Sequence, residues 1–296
     1  LNSFWLNQNI TENNDWIEEA LNLVDFTKTN NFISILDSGI NNGHRLIEPI
    51  LDEVNRLTVE PGWGVNDSMG HGTSMAGIAT YGNLNAILEN KKPLEILHQI
   101  ESVKILHPNL PNEQNKYPLI TLEAVNRAII NNPNAKRIFC MAVTTDFQVD
   151  FGKPSAYSSV LDSIIFGEDI NYKKIFLVSA GNVRGEHNWK NYPVSNLNLS
   201  VESPAQSWNA ISIGAYTEKI LPDAATVANK FELSPFSTTS SSWDSNWPIK
   251  PEVVFEGGNL IRLENGDVEG HDDLEVLTTS RNSIRHHITT LNATSA

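Results

Sequence analysis

Met69-Gly-His71-Gly-Thr-Ser-Met-Ala-Gly-Ile-Ala-Thr-Tyr81 sets one histidine between two glycines and follows it with small and apolar residues. Met75, Ala76, Ile78 and Ala79 recur at helical spacing, and no proline interrupts them. The pattern predicts a loop ending at His71 and a buried helix from about Gly72. Small residues let such a helix approach neighbouring backbone closely. An imidazole at its start is held rigidly, which suits a general base. A histidine beside glycine also serves commonly as a capping or hydrogen-bonded structural residue. What the rest of the chain offers His71 decides between the two.

Upstream, Asn31-Phe-Ile-Ser-Ile-Leu-Asp37-Ser-Gly-Ile40 contains a short apolar run closed by Asp-Ser-Gly. It reads as a buried strand with a carboxylate at its C-terminal edge, where open α/β sheets place their ligands. Residues 1–30 are rich in Asn and carry a helical pattern from Asp15 to Val24, with Asn14 or Asp15 as its cap. The segment from Asn41 to Gly70 is loop-rich around one short helix. Downstream, strands are expected over Val103–Leu106, Arg137–Val143, Lys174–Ser179 and Ala210–Ala215. Helices are expected over Pro118–Ile130 and Ser155–Ile165. Residues 231–247 read as a Ser-rich loop, and Lys250–Phe255 as a short strand or turn. Strands alternating with helices predict a mostly parallel sheet covered on both faces. No repeat or linker divides the 296 residues. The expectation is an N-terminal extension, 1–30, packing on one domain, 31–296.

Composition narrows the partners. Hydrophobic residues make up 40% and charged residues 19%, enough for a core without disulfides or metals. A net charge of −14 disfavours nucleic acid and anionic lipid as partners. No apolar run approaches the roughly 20 residues of a membrane span. The first residues lack the basic and apolar regions of a signal peptide. The single cysteine, Cys140, excludes an intrachain disulfide and favours a reducing compartment, so a cytoplasmic location is expected. Cys140 lies in an apolar run and reads as core. The acidic stretch 263–275 offers calcium ligands but matches no EF-hand spacing and reads first as a solvated surface loop; no metal or other cofactor is expected, with calcium the one alternative.

Three polar residues stand at strand ends or a helix start: Asp37, His71, and Asn182 after Val178-Ser179-Ala180-Gly181. Ser295 lies in Asn292-Ala-Thr-Ser-Ala296 and completes the set if the chain returns to the same rim. A serine hydroxyl is a poor nucleophile until a base takes its proton. An imidazole does this near neutral pH, and a carboxylate on its other nitrogen fixes the tautomer and stabilises the imidazolium. An amide such as Asn182 stabilises the oxyanion of a tetrahedral intermediate. Asp, then His, then Ser is one of the known chain orders for this geometry. The other histidines show no His-Glu-x-x-His spacing, and no Gly-x-Ser-x-Gly elbow is present, which disfavours zinc hydrolases and α/β-hydrolases.

From Phe32 to Ala296 the chain resembles the subtilisin-like serine peptidases. Asp37-Ser-Gly looks like that family's motif around the acid, and His71-Gly-Thr-Ser-Met-Ala-Gly like its histidine motif. Leu177-Val-Ser-Ala-Gly-Asn182 is similar to the motif whose Asn is the oxyanion donor. Ser203-Pro204-Ala205 with Ala210–Ala215, and Phe236-Ser237 with Ile249-Lys-Pro-Glu-Val253, resemble two further family stretches. The resemblance implies a three-layer α/β/α fold with a mostly parallel central sheet, and serine endopeptidase activity on polypeptides. Asp37, His71 and Ser295 would form the triad, with Asn182 in the oxyanion hole. Substrate would lie extended along Met141, Ala142 and Val143 and along Ser179, Ala180 and Gly181. Two departures stand out: Ala293 occupies the family's Gly position, and the family's long helix after the serine is missing, as though the domain were cut just past the nucleophile. They motivate a second reading, a catalytically impaired subtilase-fold binding or regulatory module.

Overall fold

The computed structural model describes residues 2–145, 151–167 and 174–296. Contacts divide the chain into two compact units, Leu1–Met141 with Leu277–Thr290, and Ala142–Val276 with Leu291–Ala296.

In the first unit, helices α1 (Asn2–Leu6) and α2 (Ile10–Leu21) precede strand β1 (Val24–Phe26). The helical pattern expected over Asp15–Val24 therefore starts earlier and stops sooner. Asn9 is its cap: Asn9 Oδ1 accepts from Thr11 N and Glu12 N, both at 3.0 Å, and Glu12 Oε2 accepts from Asn9 N at 3.0 Å. This reciprocal box fixes the start five residues upstream of Asn14. Val24 leaves the helix because β1 pairs in parallel with β4 (Leu94–Ile96). Trp5, Ile17 and Ala20 are buried in one cluster with Leu46, Tyr81, Leu84 and Leu277.

The main sheet of this unit has the order β6–β2–β5–β3, all parallel, with β2 at Asn31–Asp37, β3 at Arg56–Thr58, β5 at Gln99–Lys104 and β6 at Lys136–Met141. Asp37 ends β2 opposite Lys104. Helix α3 (His71–Tyr81) packs against β2. After the short helix α4 (Asn85–Leu88), α5 (Tyr117–Asn131) packs against β5. The expected strand at Val103–Leu106 lies four residues further upstream at its start, and β3 falls in the segment read as loop. β5 hides its nature because it buries Glu101 and Lys104. Glu101 is tolerated because Arg137 Nε bonds it at 2.8 Å, Ser34 Oγ at 2.5 Å and Asn132 Nδ2 at 3.1 Å. An unpartnered carboxylate there would cost several kcal/mol, roughly.

In the second unit, β7 (Ile175–Ser179) pairs in parallel with β8 (Ile211–Thr217), and β8 with β10 (Val253–Glu256); the two-residue β9 (Glu232–Leu233) runs antiparallel to β8. Helix α6 (Ala156–Phe166) is capped by Ser155, whose Oγ accepts from Ser158 N at 2.9 Å. The acidic stretch 263–275 contains more order than a solvated loop. Ile261–Arg262 and Val268–Glu269 form a hairpin with Val268 buried, and Asp272–Leu274 form a short 3-10 turn.

Candidate active site

The first unit brings Asp37 and His71 together. Asp37, only 1% exposed, ends β2, and its Oδ2 lies 2.7 Å from His71 Nδ1. Its Oδ1 accepts from Ser38 N at 2.7 Å. His71 is the first residue of α3, one position earlier than expected, and is half-buried. The helix approaches so closely that a Cβ on Gly72 would stand 2.1 Å from Gly39 O and 3.3 Å from Asp37 Cβ, so only glycine fits. Behind it, Thr279 Oγ1 donates to Thr73 O and Thr278 Oγ1 to Ser74 O, both at 2.7 Å. Burial alone lowers the His71 pKa. The charge of Asp37, its hydrogen bond and the charge of Asp67 outweigh burial and raise it above 6.5. Cys140 is not a competing nucleophile: burial first, then the charge of Asp37, push its thiol up to about 12.

The second unit holds Asn182 and Ser295. Asn182 follows β7, and its Oδ1 accepts from Thr294 Oγ1 at 2.7 Å and Thr294 N at 3.0 Å. With the oxygen engaged, the planar amide offers Nδ2 as its donor. Ser295 closes a 3-10 turn, Ala293–Ser295, and donates from Oγ to Ala142 O at 3.4 Å. Ala293 has φ 72°, in the left-handed region that favours glycine, and its N–H donates to Gly257 O at 2.7 Å. The backbone there costs an alanine roughly 1–2 kcal/mol. Its buried methyl, packed in one cluster with Val227, Phe236, Leu260 and Val268, returns part of that.

The expected substrate stretches are partly engaged within the protein. Met141 ends β6 fully buried, with Thr121 Oγ1 against its sulfur at 4.0 Å, so its side chain belongs to the core; Ala142 and Val143 lie just past the strand, half-buried. Ser179 is buried opposite Ile213 in β8. Ala180 O accepts from Glu202 N at 2.8 Å and Thr238 Oγ1 at 2.9 Å. Gly181 O accepts from Thr238 Oγ1 at 3.1 Å and Thr294 Oγ1 at 3.2 Å. The single Thr238 hydroxyl proton is shared between the two carbonyls, so both are engaged within the protein without being saturated. Gly181, at φ 100°, lies under Glu202, whose carboxylate also meets Thr144 Oγ1 and Arg184. The sequence carries no motif signal for Asp67 or Glu202: Asp67 lies in a loop and meets Ser38 from 29 residues upstream, and Glu202 meets Thr144 and Arg184, 58 and 18 residues away. Among the described residues, no group of three or more His, Cys, Asp or Glu is placed to hold a metal ion, and no helix is long and apolar enough to cross a membrane.

A profile of the subtilase family, peptidases of class S8, matches residues 28–296. The chain belongs to the subtilase family. Among solved structures, this subtilase is similar to the epidermin leader peptide processing serine protease EpiP from Staphylococcus aureus (17% identity, TM-score 0.54), covering 91% of this chain and 62% of that one. Sphericase matches at 16% identity and TM-score 0.57, over 91% of this chain and 74% of its own. The CspB protease of Clostridium perfringens matches at 15% identity and TM-score 0.58, over 96% and 83%. No curated protein sequence matches the chain. At these identities the likeness shows the fold, which is the three-layer α/β/α class with a mostly parallel sheet. The subtilase spans less than two thirds of EpiP's length.

Proposed function

We propose that this subtilase is a serine endopeptidase acting on polypeptides. Ser295 Oγ attacks the peptide carbonyl. His71 takes the hydroxyl proton and returns it to the leaving amine, and water then releases the acyl group by the same route in reverse. Asp37 holds the proton on His71 Nδ1, so that Nε2 serves as the base. Asn182 Nδ2 and the Ser295 N–H stabilise the oxyanion. The observation carrying the reading is the 2.7 Å bond between the buried Asp37 carboxylate and His71 Nδ1. The single cysteine supports a reducing, cytoplasmic setting.

A fluorophosphonate probe, with the labelled peptide mapped by mass spectrometry, tests the proposal. Label on Ser295 is the expected result; label on another residue overturns the assignment. No labelling of folded protein favours the second reading, a silent binding or regulatory module, for which the left-handed Ala293 beside the serine is the motive. Asn182→Ala is expected to slow peptide hydrolysis by about 10²–10³-fold with little change in KM, because the lost donor acts on charge that develops only in the transition state. Steady-state kinetics on a chromogenic peptide check it, and a loss confined to KM would contradict the assigned role.

A further inference from the structure

Asp67 accepts more hydrogen bonds than any triad candidate, yet it lies four residues before His71 and is 5% exposed. Its Oδ1 accepts from Gly70 N at 2.7 Å, Ser38 Oγ at 2.8 Å and Met69 N at 2.9 Å. Its Oδ2 accepts from Thr73 Oγ1 at 2.7 Å and Thr73 N at 2.9 Å. Its own N–H donates to Asn41 Oδ1 at 2.9 Å. We propose that Asp67 is a positioning residue for the Asp37–His71 pair, locking the loop that carries the acid to the helix turn that carries the base.

Helix chemistry explains why a carboxylate is needed here. The N-cap of α3 is Gly70, which has no side chain to satisfy the orphan first-turn amides. Asp67 reaches back from outside the helix to do that work, and its negative charge suits the positive end of the helix. The bond to Ser38 joins the two halves. Ser38 follows Asp37 directly; its hydroxyl donates to Asp67 and accepts from Gly72 N at 3.0 Å. One carboxylate thus spans residues 38, 69, 70 and 73, with His71 among them. Its charge also adds to that of Asp37 in favouring the protonated ring.

The inference rests on the peptidase reading only for its kinetic arm, so the closing experiment has an arm that does not. The His71 ring is titrated by NMR in the full chain and in Asp67→Asn, with thermal melts to establish folding. The expected result is a midpoint lower by about half a pH unit or more. Peptide hydrolysis should show kcat lowered at least about tenfold and KM within about twofold. Folded Asp67→Asn with an unchanged His71 midpoint overturns the proposal. If wild-type protein hydrolyses nothing, the peptidase reading fails and amide exchange at Met69, Gly70 and Thr73 decides the positioning role. Should Asp67→Asn not fold, amide exchange on wild-type protein decides. The Met69, Gly70 and Thr73 amides are expected to exchange at least about 100-fold more slowly than an open loop, and open-loop rates there overturn the proposal.

Discussion

His71→Ala is expected to lower kcat for peptide hydrolysis by about 10⁶-fold, and Asp37→Asn by about 10⁴-fold. The two numbers differ because the residues do different work. Without the imidazole nothing takes the Ser295 proton, and the site retains only binding and oxyanion stabilisation. Without the Asp37 charge the ring remains, but Nδ1 is no longer held as the donor, and the imidazolium formed during attack loses its partner at 2.7 Å. The pH profiles should separate these cases. In the native protein burial lowers the His71 pKa, while Asp37 and Asp67 raise it further than burial lowers it. The acid limb of kcat/KM should therefore lie above 6.5, and it should move downward in Asp37→Asn. A folded pKa above the unfolded one means that the Asp37–His71 pair adds stability fully present below 6.5 and lost as pH rises through the folded value. Peptide hydrolysis is thus expected to be fastest where this contribution has gone. Retention of more than about a tenth of wild-type kcat in either variant would remove the residue from the mechanism.

Asp37 and His71 were legible as candidates because each sits beside a local signal. Phe32–Leu36 is a compact apolar strand that stops at Asp37, and the small residues after His71 can only suit a tightly packed helix. The start of α2 was equally legible in Asn9 and Glu12, three residues apart, but apolar spacing drew attention to Asp15 instead. β5 was not legible at full length. Glu101 and Lys104 contradict a buried strand until Arg137, Ser34 and the Asn66 carbonyl are brought up to them, and those partners are 36, 67 and 38 residues away. β1 and β4 fail for a similar reason: each is three residues long and exists through the other.

The site shows the same division. A motif draws attention to candidate residues such as His71, whereas the hydrogen bonds around them appear only in the folded chain. Asp67 reads as one more loop aspartate until Ser38, Met69, Gly70 and Thr73 converge on it. Ala293 could be read as a departure from the family's glycine, but its consequence, a methyl-bearing residue held at φ 72° in the turn that carries Ser295, needs the backbone. The side-chain contacts of the Ala180 and Gly181 carbonyls likewise depend on Thr238 and Thr294, more than 50 residues downstream.

Acidification should destabilise the first unit through His44. This residue is fully buried. Its Nδ1 accepts from Leu46 N at 3.1 Å, and its Nε2 lies 2.7 Å from His287 O, to which it donates. One acceptor and one donor define the neutral ring; a proton on Nδ1 would face the Leu46 N–H. Burial first, and then the charge of His287, lower the His44 pKa to about 4, against the bonds that raise it. The sign follows directly. Above 6.5 the ring is neutral in both folded and unfolded chains, and between 6.5 and about 4 only the unfolded chain takes up the proton. Stability is therefore full above 6.5 and is lost as pH falls through that window. At about 1.4 kcal/mol per pH unit the loss reaches roughly 3 kcal/mol. His287 is shifted in the same direction, by burial first and then by the charges of Arg45 and His286, and steepens the loss. Urea unfolding at pH 7, 5.5 and 4 measures it. His44→Gln keeps an amide donor for the His287 carbonyl but has no proton to gain. It should be less stable than wild type at pH 7, yet its decline toward pH 4 should be shallower by about 3 kcal/mol. Parallel declines in the two proteins would show that His44 is not the acid-sensitive group.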